Sequence, residues 1–196
     1  MRDPLGGARG APLRLDWPPL VGDWCVDLLT LALRLVHIVA GAVWVGMAVF
    51  TAIFLVPAIQ DAGPDGGKVM AALQRRGVLT VLPLLALGTL LSGIWLYWRA
   101  SVGLHPGYVT SRVGLAFGLG GVAALVAYGV GITVMRPAML RATTLAQVLG
   151  ESTSESEREE HVAAIRRLRA RGATAGRLVA LLLLVAAAAM AVARYL

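Results

Sequence analysis

Acidic residues are scarce in this chain and missing from its most apolar parts. There are 11 Asp and Glu against 18 Lys and Arg in 196 residues, and neither acids nor lysines occur in the stretches 35–57, 78–98, 113–135 and 175–195. A proton- or ion-coupled transporter would lack its usual relay groups there. A single cysteine, Cys25, excludes an intrachain disulfide and any cysteine-built zinc or iron–sulfur centre. Three histidines, His37, His105 and His161, limit imidazole chemistry to one small site. The glycines at 63–67 are not followed by the Gly-Lys-Ser/Thr of a phosphate loop. No Ser/His/Asp or paired-carboxylate arrangement can be assembled at one membrane face. Residues 1–24 carry prolines and glycines but no compact apolar core, so they do not read as a cleavable signal.

What is present is apolar length. Each of the four stretches has 21 or 23 residues, and their only charges are Arg177 and Arg194, near the ends of the last one. A helix of about 20 apolar residues crosses a bilayer core of about 30 Å. The chain is therefore expected to be an all-α integral membrane four-helix bundle with spans at those positions. An interfacial segment, residues 1–34, precedes the bundle of residues 35–196. Eleven of the 18 basic residues fall in the 58–77 and 136–174 connections or at Arg177, and seven on the other side. The positive-inside bias then puts both termini outside the cytoplasm. Basic residues beside membrane spans are explained by topology and anionic lipid, so no nucleic-acid partner is inferred.

The 136–174 connection reads as helical. Pro137 suits the start of a short helix reaching about Gly150, and Ser154-x-x-Glu157 reads as a capping box opening a second one. Acidic residues lead that second helix and arginines trail, as the helix dipole favours. It is expected to be a solvated extension of the fourth span. Gly88 with Ser92, and Gly114, Gly118 and Gly121, form small-residue faces suited to close helix packing. No internal repeat is apparent.

His37 is the one histidine within a span. At 100° per residue, Arg34, His37, Gly41 and Trp44 share a narrow stripe of the first helix. A polar residue in hydrocarbon faces the bundle interior and is a functional suspect. Gly41 would give a flat macrocycle room, Arg34 could hold a propionate, Trp44 could pack on the ring edge, and imidazole is the usual axial ligand of membrane haem. The same residues also serve a plain structural purpose: His37 bonding a neighbouring backbone, Arg34 snorkelling, Gly41 allowing close approach. A second axial ligand would be His105, beside the turn residues Gly103, Pro106 and Gly107, or Met190 near the outer end of the fourth span. His161 lies on the other side.

The run His37-Ile38-x5-Trp44-x-Gly46, continued weakly by Pro83, Ser92-Gly93 and Arg136-Pro137, resembles CopD-like and related four-helix bacterial membrane proteins. More distantly it is similar to HemJ-type protoporphyrinogen oxidases, whose first helix carries a comparable His-Ile-x5-Trp run. After Trp44 the chain departs from that pattern, with Leu55-Val56-Pro57-Ala58 in place of a Pro-Arg and a further histidine. The resemblance implies a haem- or copper-associated bundle of the bacterial inner membrane with His37 as the transferred residue. The leading expectation is a membrane b-type haem protein with an electron-transfer role. The alternative is a cofactor-free subunit of a larger membrane complex or homodimer, docking through its small-residue faces and basic helix. Copper handling ranks third, because the outer side lacks a His/Met/Cys cluster that would select the metal.

Overall fold

The computed structural model describes residues 22–149 and 154–196, and every regular element among them is a helix. Four segments are long and apolar enough to cross a membrane: Leu28–Asp61, Val78–Ala100, Arg112–Val148 and Glu155–Ala193. The first contains most of α1 (Gly22–Phe50), a π-helical turn (Thr51–Leu55) and α2 (Val56–Asp61). Helix α3 (Pro64–Arg75) then leads into the second span, α4 (Val78–Ala100). The short α5 (Pro106–Val109) precedes the third, which comprises α6 (Arg112–Val130), a second π turn (Gly131–Met135) and α7 (Arg136–Val148). The fourth is α8 (Glu155–Ala193). The boundary expected at residue 34 lies within α1, and residues 1–21 of the interfacial segment lie outside the described residues.

Three of these segments are longer than a bilayer needs. The 39 residues of α8 extend about 58 Å at 1.5 Å per residue, roughly twice the hydrocarbon core. The excess of α8, with α2, α3 and α7, forms a helical cluster at one end of the bundle. Ser154 is the N-cap of α8, as expected, but its side chain makes no capping hydrogen bond. Residues 154–160 are all exposed, so water can satisfy the first N–H groups.

The two π turns share a cause. Each is followed by an X-Pro-Ala sequence, Val56-Pro57-Ala58 and Arg136-Pro137-Ala138. Val56 N–H reaches back five residues to Thr51 O, and Arg136 N–H to Gly131 O. Proline has no N–H and its ring clashes with the carbonyl four residues earlier, so one widened turn accommodates it without ending the helix. The first and third spans thus end on the same device. This structural repeat went unread in the sequence because only three residues carry it, and of those only Pro-Ala is common to both copies.

Packing is closest between α6 and α8 and between α1 and α4. The α6–α8 seam uses small residues: a Cβ on Gly120 would lie 3.0 Å from Met190 Cγ and 3.1 Å from Ala186 O. Gly121, which the sequence pattern favoured, meets nothing within 4 Å. The fully buried Ala127 and Leu183 continue the core, which Trp44, Ala86 and Leu90 complete. Outward faces carry exposed Leu, Ile, Val and Phe, the surface a bilayer solvates. The molecule is a multi-pass helical membrane protein.

Candidate functional site

His37 is half-buried where α1 crosses α4, in a notch made by Thr89, Ser92 and Gly93. These three fall one helical turn apart or adjacent, so one face of α4 presents a small polar patch within an apolar span. Thr89 and Ser92 turn their hydroxyls onto their own helix: Thr89 Oγ1 donates to Leu85 O at 2.9 Å, and Ser92 Oγ to Gly88 O at 2.7 Å. The Thr89 carbonyl, which also lies 3.0 Å from Ser92 Oγ, is the acceptor presented to α1. His37 Nδ1 lies 2.8 Å from Thr89 O. A carbonyl can only accept, so Nδ1 carries the proton of this bond, and in the neutral imidazole Nε2 then holds the lone pair. Ser92 Oγ approaches Nδ1 at 3.4 Å and braces the ring more weakly.

Gly93 makes the notch possible. A Cβ there would stand 2.7 Å from His37 Cε1 and 3.0 Å from Nδ1. The second nitrogen is different. Nε2 makes no hydrogen bond among the described residues. No buried side-chain nitrogen or oxygen among them lacks a partner, so Nε2 reaches the bundle surface.

The other candidates are dispersed. Arg34 is exposed one turn along α1. Gly41 does not open a space: a Cβ there would meet Thr89 Cγ2 at 3.3 Å, so the glycine brings α1 and α4 together. Trp44 is 7% exposed in the core and meets Tyr128 edge-to-face with centroids 6.4 Å apart. His105 is exposed and caps α5, its Nδ1 accepting from Gly107 N–H at 3.2 Å. It belongs to a compact turn pinned by the fully buried Ser101, whose Oγ accepts from Leu104 N–H at 2.9 Å. In that turn, partial burial, with a smaller effect of Tyr97, holds the Tyr108 phenol above its ordinary range and keeps it protonated. Met190 packs over Gly120 on α6. The structure therefore joins His37 to none of the second-ligand candidates. Among the described residues, no group of three or more His, Cys, Asp or Glu could hold a metal ion.

Sequence reasoning missed the α4 half of the notch. Its signal was present as Thr89, Ser92 and Gly93, small or hydroxylated residues spaced to share one face of an otherwise aliphatic span. Comparison with protein-family models, curated proteins and solved structures finds no match to this chain.

Proposed function

We propose that this is a b-type haem-binding protein of the bacterial cytoplasmic membrane with an electron-transfer role, and that His37 is its axial ligand through Nε2. The observation that supports this is the state of the imidazole. Its Nδ1–H donates to a backbone carbonyl, which fixes ring orientation and tautomer and raises the basicity of Nε2. Nε2 is left unpartnered at the surface. Arg34, exposed on the next turn, suits a propionate. Gly41 leaves no room for a ring between α1 and α4, because Thr89 already occupies its face, and Trp44 packs on Tyr128 in the core. Among the described residues this site offers one nitrogen donor, and the group would be held on the outer flank of α1 and α4. When bound, haem supplies a one-electron couple; the chain's contribution is to orient and polarise the imidazole.

A second reading, a cofactor-free subunit of a larger complex, is favoured by one specific fact. His37 already earns its place as an interhelical hydrogen bond, a contact worth on average about 0.6 kcal/mol in a membrane protein. His37→Gln separates the two, because an amide can donate to Thr89 O but is not an axial haem ligand. On the haem reading, detergent-purified wild type shows a Soret band that shifts on dithionite reduction, and His37→Gln loses it while remaining folded. A colourless wild type expressed with ample haem, or a variant with full haem content, removes the first reading.

A further inference from the structure

We propose that the cavity between the two π turns binds the head group of a lipophilic quinone, a site separate from His37 and independent of the haem reading. The cavity has a volume of about 150 Å³, is not fully enclosed, and is bordered by all four spanning segments. Apolar cavities of about this size stay dry and accept one benzene-sized ring. Both widened turns border it, through Thr51 and Leu55 on one side and Gly131 and Met135 on the other. Single π turns within α-helices occur often at functional sites. Here they mark one place from two directions.

Span hydroxyls without a side-chain hydrogen bond among the described residues include Thr80 and Thr174, exposed away from the cavity, and Thr51 and Tyr128, which border it. Thr89, Ser92, Tyr97 and Thr133 each donate to a backbone carbonyl. Thr51 and Tyr128, the two hydroxyl residues that border the cavity, make no side-chain hydrogen bond among the described residues. Hydrocarbon has no water to satisfy them. Two unspent O–H donors in an apolar wall suit a ligand that brings carbonyl acceptors. A fatty acyl chain would leave both unpaired; Gln74 and Arg136 also border the otherwise apolar wall and bring further hydrogen-bond donors.

The rest of the wall favours a flat, polarisable ring. Four of the six methionines, Met47, Met70, Met135 and Met139, line the cavity beside Trp44. Thioethers make favourable contacts with ring edges and adapt to irregular outlines. A benzoquinone has both properties, a ring of the right size and two carbonyl oxygens, with a tail that can leave by the open side.

The test is equilibrium binding of decylubiquinone to the full chain in lipid nanodiscs, with protein-free nanodiscs as the partition control. The expected result is saturable uptake of about one equivalent per chain. Tyr128→Phe and Thr51→Val should each weaken it about tenfold, the loss of one hydrogen bond of about 1.4 kcal/mol. Gly131→Leu should abolish it, since that glycine borders the cavity and a Cβ there meets nothing within 4 Å. Tyr128→Phe keeps shape and volume, so it remains informative if Gly131→Leu fails to fold. Uptake no greater than in protein-free nanodiscs, equal affinity in every folded variant, or a bound phospholipid that decylubiquinone does not displace would each overturn the proposal.

Discussion

At the scale of single residues, the α1–α4 crossing depends on an imidazole lying flat against a missing side chain. Gly93→Ala would place a methyl 2.7 Å from His37 Cε1, so the ring must leave its hydrogen bond to Thr89 O or α1 must shift. Overpacking of this kind costs about 1–3 kcal/mol. Thermal unfolding in detergent should show Gly93→Ala less stable than wild type, and combining it with His37→Ala should recover part of the loss. Independent, additive losses would mean that the two residues do not share a notch. The sequence showed His37 as the residue of interest but not its receptor. Periodicity places a residue on its own helix and says nothing of which carbonyl the next helix presents. Trp44 illustrates the reverse case. Its stripe position was readable, whereas its contact with Tyr128 depends on how α1 and α6 are rotated about their axes.

Among the helices, neighbouring glycines of α6 carry opposite consequences. Gly120 faces Met190 and the backbone oxygen of Ala186, while Gly121 faces open space. Gly120→Ala should destabilise the bundle by about 1–3 kcal/mol because a helix backbone cannot yield as a side chain can. Gly121→Ala should be neutral or stabilising by up to about 1 kcal/mol, the usual cost of glycine in a helix. Matched unfolding curves of the two variants check this, and equal effects would show that the α6–α8 seam runs along another face. The sequence pattern pointed to Gly121, since Gly114, Gly118 and Gly121 fall on one stripe. Small residues occur on two faces of this helix, and composition cannot choose between them. The π turns were also unreadable beforehand, because a proline in an apolar run is equally compatible with a kink, a break or a widened turn.

At the scale of the whole molecule, the extended ends of α1–α2, α6–α7 and α8 make the bundle strongly asymmetric. Long helical projections with most of the basic charge stand at one end, and the compact turn at Ser101 with α5 stands at the other. The charge bias predicts that the projecting end faces the cytoplasm. With Cys25 replaced by serine, Ser154→Cys should resist an impermeant maleimide in intact cells and react after the membrane is opened, since Ser154 is exposed. Labelling of intact cells would reverse the orientation. The same end also carries an ion pair at 2.7 Å between the exposed Lys68 and Asp65, worth little by itself in water.

Apolar run length, charge placement and helix start signals follow from the sequence alone, because the bilayer imposes them locally: about 20 uncharged residues per crossing, polar ends, an extended serine before an acidic turn. Those features determined four helical spans, the helix beginning after Ser154 and the prominence of His37. Tertiary structure decided which nitrogen of His37 is committed, which glycine lies in a seam, and that Thr51 and Tyr128 meet across one cavity. Each of these depends on the rotation of one helix about its axis relative to another. In lipid that rotation is set by side-chain packing between helices, a non-local quantity that no single segment encodes.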